Sequence, residues 1–154
     1  MYGLVLILHS WNRWLVLASA CATLVVTIRN LAGGGEWAKP NQRLLLLFIS
    51  ALDLQAVLGL LLYLVLSPII PKTSAEFKAA MNIGALRFFA VEHITMMVLA
   101  LIAAHVTSVY AKRARSGLAR QRRVAWGVAL TLLLILSAIP WPWTAAARPL
   151  FHWV

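Results

Sequence analysis

His9 and Arg13 stand four residues apart in an otherwise apolar stretch, with Asn12 beside them, and Arg87, Glu92 and His93 interrupt a second such stretch. Asp53 and Gln55 interrupt a third, and His105 follows His93 by twelve residues. On a helix a spacing of four puts two side chains on one face, so His9, Asn12 and Arg13 form a single polar stripe. An ionisable group in hydrocarbon costs at least ~2.5 kcal/mol, which makes each of these residues a candidate for function when it lies at membrane depth. Imidazoles ligate metals, carboxylates neutralise arginines or carry protons, and the type and spacing of the residues permit each of these.

The elements that must position them follow from composition. Of 154 residues, 62% are apolar and 12% charged, against about 25% charged in soluble domains, and the mean hydropathy is +0.85. A water-soluble enzyme is excluded on that ground. The net charge is +10, but its basic residues interrupt long apolar runs, so they read as the loops of a membrane protein and not as a nucleic-acid surface. A single cysteine, Cys21, excludes an intrachain disulfide and any cysteine-based metal cage. Four apolar runs, about 4–28, 44–66, 83–110 and 124–139, reach or approach the ~20 residues that cross a bilayer. The fourth is short, and is expected to extend into Trp141-Pro142-Trp143 or to sit in thinned bilayer. The expected fold is an all-α integral membrane four-helix bundle, a single transmembrane domain over 1–154. Nine of the fourteen basic residues lie in the connections 29–43 and 112–123, which by the positive-inside rule face the cytoplasm of a bacterial inner membrane and leave both termini on the outer, periplasmic side.

With that topology His9 and His93 both fall in the outer half, on helices that could be neighbours. Two facing imidazoles hold b-type haem iron between transmembrane helices, and bundle cores are recurrent cofactor sites. Arg13, Asn12 and Arg87 are the candidates to receive its propionates. Trp11, Phe88, Phe89, Met96 and Met97 are the candidate walls. Arg13, Asp53 and Glu92 lie near mid-depth and are expected to form a buried charge network that fixes helix packing. His105 has no expected partner on the second or fourth helix and reads as a hydrogen-bonded residue near the cytoplasmic end, and His152 lies in the outer tail. Cys-x-x-Cys-His does not occur, which excludes covalent haem attachment.

The stretches His9-Ser10-Trp11-Asn12-Arg13-Trp14, Arg87-Phe88-Phe89-Ala90-Val91-Glu92-His93 and Ile139-Pro140-Trp141-Pro142-Trp143, with Gln55 to Tyr63, resemble a family of small bacterial four-helix membrane proteins loosely labelled cytochrome b. The resemblance spans nearly the whole chain. It implies haem b and electron transfer, and draws attention to His9, Arg13, Arg87, Glu92 and His93; some members carry a histidine in the second helix, where this chain has Asp53. The leading expectation is therefore a haem-linked electron carrier, a small subunit of a respiratory or photosynthetic chain. Its partners would be the lipid bilayer, other membrane subunits or further copies of itself, with quinone as a further candidate, and no nucleic acid. Two other functions fit the same residues: a non-catalytic accessory subunit of a larger membrane complex, and a proton or small-solute carrier using Asp53, Glu92 and His93. Ala18 with Ala22 and Ala100 with Ala104 could support close helix contacts in either setting.

Overall fold

The computed structural model describes residues 1–151, so His152 lies outside the described residues. Four long helices carry the chain: α1 (Tyr2–Gly33), α2 (Lys39–Leu66), α4 (Gly84–Lys112) and α5 (Gly117–Ala138), each long and apolar enough to cross a membrane. A short helix, α3 (Ser74–Met81), lies between α2 and α4. Between 28 and 39% of the residues in the spanning windows are buried within the bundle. Most of each helix therefore presents apolar side chains outward, among them Leu15, Val25, Leu47, Val57, Ile102 and Leu133, as lipid-facing helices must.

The boundaries follow from chain chemistry. Gly34 ends α1 in the left-handed region at φ 69°, the one positive φ among the described residues, and its N–H and that of Gly35 both reach the carbonyl of Asn30, a C-terminal closure that only glycine makes without strain. Thr73 caps α3, accepting from the Glu76 N–H at 3.2 Å. The Glu76 carboxylate in turn accepts from the N–H groups of Lys72 at 2.7 Å and Thr73 at 3.3 Å, and the Lys72 N–H above all holds its pKa below the usual carboxylate range. The fourth span differs from expectation at both ends. Ser116 accepts from the Ala119 N–H at 3.1 Å and starts α5 seven residues before the apolar run, so Arg120, Arg122 and Arg123 ride on its first turns. Its 22 residues then suffice to span, and the helix stops at Ala138 because Ile139 is extended ahead of Pro140.

The helices alternate in direction along the chain. α1 packs on α2 and α5, α4 packs on α5 and more lightly on α2, and α1 and α4 scarcely touch, so these two face each other across the diagonal instead of standing side by side. The α4–α5 contact is tight because small residues, Ala100, Ala104, Thr107, Ser108 and Ala111, line the buried face of α4, and backbones approach where side chains are small. Ala18 and Cys21, by contrast, are exposed. Buried hydroxyls are satisfied locally: Ser19, Thr23, Thr27, Thr107 and Thr131 each donate to the carbonyl four residues earlier at 2.6–2.8 Å, so they cost little in a medium without water. In the core Val16, Leu45, Phe48, Leu52, Val124, Val128 and Ile135 meet.

Among the described glycines the tightest approach is Gly127 of α5 against Thr107 of α4. A Cβ at Gly127 would stand 1.9 Å from Thr107 Oγ1 and 2.7 Å from its Cβ. Gly127→Ala is expected to lower the thermal midpoint in detergent by an amount equivalent to about 1–3 kcal/mol, the usual cost of overpacking, and Thr107→Ala in the same chain to restore part of it.

Candidate cofactor site

The chain of cause begins at the end of α5. In a continuing helix the carbonyls of Leu136 and Ala138 would receive the N–H groups of residues 140 and 142, but both positions are proline and have none. Side chains take their place. Trp141 Nε1 donates to the Leu136 carbonyl at 2.9 Å, and His93 Nδ1 lies 2.7 Å from the Ala138 carbonyl. A carbonyl only accepts, so that nitrogen bears the hydrogen and the neutral imidazole keeps a free lone pair on Nε2.

His9 comes from α1 on the other side of the bundle. Its ring centroid is 6.5 Å from that of His93, with the ring planes at 70°, and both line a cavity of about 150 Å³. His9 Nδ1 is buried without a hydrogen-bond partner. The ring is held against α2 by the lack of a side chain at Gly59, where a Cβ would stand 3.1 Å from His9 Cε1. An amide relay fixes the backbone behind it: Asn12 Nδ2 donates to the Gln55 side-chain oxygen at 2.8 Å and to the Ala51 carbonyl at 2.9 Å, and Gln55 Nε2 donates to the His9 carbonyl at 3.0 Å.

A second space of about 80 Å³ continues from the two histidines into the seam between α2 and α4, bounded by Ala56, Leu60, Ile94, Val98 and Leu101. Above it, Tyr63 Oη donates to the Ala90 carbonyl at 2.8 Å. Both residues lie in wide π-helical turns, Leu62–Leu66 and Phe88–Glu92. These turns were not foreseen from sequence, and they matter because a π turn brings residues five apart onto one face.

That geometry redistributes the charges. The expected network of Arg13, Asp53 and Glu92 does not form. Glu92 is turned onto Arg87, five residues before it, at 2.9 Å, with both side chains about half exposed. Asp53 bonds His105 Nε2 at 2.8 Å, so the histidine expected to lack a partner on the second helix has one there. Tyr63 opposite Ala90 sets residue 53 against a level near 100, about 7 Å from His105 along the axis. Side chains lean toward the N-terminus of their own helix, so on antiparallel neighbours Asp53 and His105 lean toward each other and close the gap.

Arg13 lines the cavity and donates to the Leu150 carbonyl, which also receives Trp14 Nε1 at 3.3 Å and the Ser10 hydroxyl at 3.5 Å. This carbonyl docks the tail against α1, with Phe151 stacked on Trp14 at 5.2 Å. The tail brings in Arg148, a cavity-lining residue that was not singled out from sequence, with its guanidinium 5.3 Å from the Phe89 ring centroid. Of the expected walls, Phe89 and Met97 line the cavity, Phe88 packs edge-on against Phe89, Trp11 packs on Phe151, and Met96 is not among the walls. Asn12 spends its amide on α2, and Arg87 stands apart in its ion pair. Neither Asp53 nor Glu92 lines the cavity.

No group of three or more His, Cys, Asp and Glu side chains converges among the described residues. A metal at His9 and His93 would therefore need its remaining ligands from a cofactor. Replacing Gly59 by Ala is expected to displace the His9 ring by a few tenths of an ångström and to destabilise by about 1 kcal/mol. Asn12→Leu, which breaks the amide relay, should cost about 1–2 kcal/mol. Thermal unfolding in detergent measures both. Compared with protein-family models, curated proteins and solved structures, the chain matches none.

Proposed function

We propose that this chain is a b-type haem-binding protein of the bacterial inner membrane that passes electrons as a small subunit of a respiratory or photosynthetic chain, and that His9 and His93 are the residues that would hold the iron. The reading includes the topology set by the basic connections 29–43 and 112–123, which places the histidine end of the bundle on the outer side.

The observation that carries it is the pair of imidazoles meeting across the diagonal at 6.5 Å. Two imidazoles ligating one iron from opposite faces set their centroids about 6 Å apart, since each metal–nitrogen bond is about 2.0 Å. The donor set supports the same reading. His93 is oriented by the Ala138 carbonyl, as ligating histidines are by a second hydrogen bond. His9 Nδ1 is buried without a hydrogen-bond partner, and the remaining ligands of an iron held by these two residues would come from a macrocycle. The iron, when bound, supplies reversible one-electron chemistry. The protein's residues hold the two imidazoles at a fixed separation, close one end with the tail, and line the space with Leu52, Met97, Ile135 and Phe89, which keeps water from the ligands. Electrons would come from a membrane dehydrogenase or a quinol and leave to an acceptor on the outer face.

An absorption spectrum of the detergent-purified, haem-supplied protein tests this. The expected result is a Soret band with the sharp visible bands of a low-spin, six-coordinate iron, and loss of at least about tenfold in bound haem for His9→Ala and for His93→Ala. The absence of a Soret band, or a spectrum unchanged in the double variant, rejects the reading.

A further inference from the structure

The cavity has a polarity of its own. At one end, the seam between α2 and α4, its walls are aliphatic. The larger space that it joins is lined by two arginines, Arg13 from α1 and Arg148 from the tail, neither of which lines the seam. No carboxylate opposes either among the described residues: Glu92 is taken by Arg87 and Asp53 by His105, Glu76 by the backbone of residues 72 and 73, and Glu36 lies in the connection between α1 and α2 and lines neither space. Arg13 Nε is buried without a hydrogen-bond partner, while Arg148 reaches the same space from a tail segment whose own N–H bonds back to the Pro140 carbonyl at 3.3 Å. Two cations lining the larger space and none in the aliphatic seam, with both histidines common to the two, match an amphipathic ligand with a flat apolar body and a pair of carboxylates.

We infer that Arg13 and Arg148 bind the two carboxylates of the porphyrin whose iron His9 and His93 would hold, and that the tail after α5 is the element that delivers the second cation. The inference rests on the proposed haem site, and it assigns the carboxylate-binding role to Arg148 in place of Arg87, which the π turn commits to Glu92. A guanidinium pairs a carboxylate through two parallel N–H donors, so the interaction is stronger than a lysine would make and is specific for the ionised acid.

The test titrates full-length apoprotein in detergent with ferric protoporphyrin and, separately, with its dimethyl ester, which has the same iron and ring but no carboxylates. The proteins are the parent chain, Arg13→Gln, Arg148→Gln, Arg148→Lys and Arg87→Gln. For the free acid, Kd is expected to rise about tenfold in Arg13→Gln and in Arg148→Gln, less in Arg148→Lys, and to stay unchanged in Arg87→Gln. For the ester, Kd should be the same in all five. Arg148 is exposed, so its variants test the idea even where Arg13→Gln does not fold. Equal sensitivity of acid and ester to the arginine changes, or equal weakening by Arg87→Gln, overturns the inference while a low-spin, histidine-dependent spectrum leaves the haem site standing. Failure of both porphyrins to give that spectrum removes the haem site and the inference with it.

Discussion

The carbonyl of Ala138 has no backbone donor to meet, because Pro142 stands where the next helical N–H would be. In water such a group would be solvated; at a bundle end inside or beside hydrocarbon it must find a partner in the protein. The partner is His93, reaching across from α4. One unsatisfied carbonyl thereby fixes which imidazole nitrogen bears the proton, where the ring points, and how the ends of α4 and α5 register. The same device acts twice, since Pro140 frees the Leu136 carbonyl for the Trp141 indole, and the stacked pair Trp141 and Trp143 then begins the tail at 5.1 Å. The Pro-Trp-Pro-Trp run is thus a means of orienting a histidine and turning the chain, beyond any role of its indoles at an interface.

Packing is distributed unevenly around the bundle, and the site lies where it is weakest. α4 and α5 are locked by small residues and by the fit of Gly127 against Thr107, while α1 and α2 are joined by the Asn12–Gln55–His9 relay. These two pairs meet through α1 and α5, and of the neighbouring helices α2 and α4 touch least. The smaller space lies in that weak seam, and the larger one shares His9, Gln55, Tyr63, His93 and Met97 with it. A bundle made of two tightly joined pairs with one lighter seam keeps His9 and His93 on well-packed helices on either side of that seam. The opposite end is tied differently: Gln121 is fully buried and donates to the Gly35 carbonyl at 2.6 Å, and Arg120 lies 4.7 Å from the Trp37 ring centroid.

Hydropathy alone located the four spans, because twenty apolar residues in a row have no other stable use. It could not see α5 begin at Ser116, since the arginines of its first turns lower the hydropathy without harming the helix. The Thr73-x-x-Glu76 box was present in the sequence as a cap for α3, but no apolar run followed to give it weight. His9, His93 and Arg13 were legible as a site because polar groups are rare at that depth. Their partners were not, because the π turn at Phe88–Glu92 rotates Glu92 and the residues after it relative to an ideal helix, and no hydrophobic period reports such a turn. Arg148 was invisible for a different reason: a tail residue enters a site only when something docks the tail, and here that is a single carbonyl at Leu150, contacted by Ser10, Arg13 and Trp14.

The charge distribution links these points. Each half-exposed ionic group in the spans sits beside an opposite or hydrogen-bonding partner, Arg87 with Glu92 and His105 with Asp53, which is the arrangement expected where desolvation is expensive. The cavity end is the exception, holding Arg13 and Arg148 with carbonyl and aromatic neighbours and no acid among the described residues. A fold that needed Arg13 only for packing would have gained more from pairing it, since a partly buried guanidinium with no counter-charge and an unbonded Nε is a standing cost. That cost falls once an anion arrives, so the imbalance makes sense as one half of a site whose other half comes from the ligand.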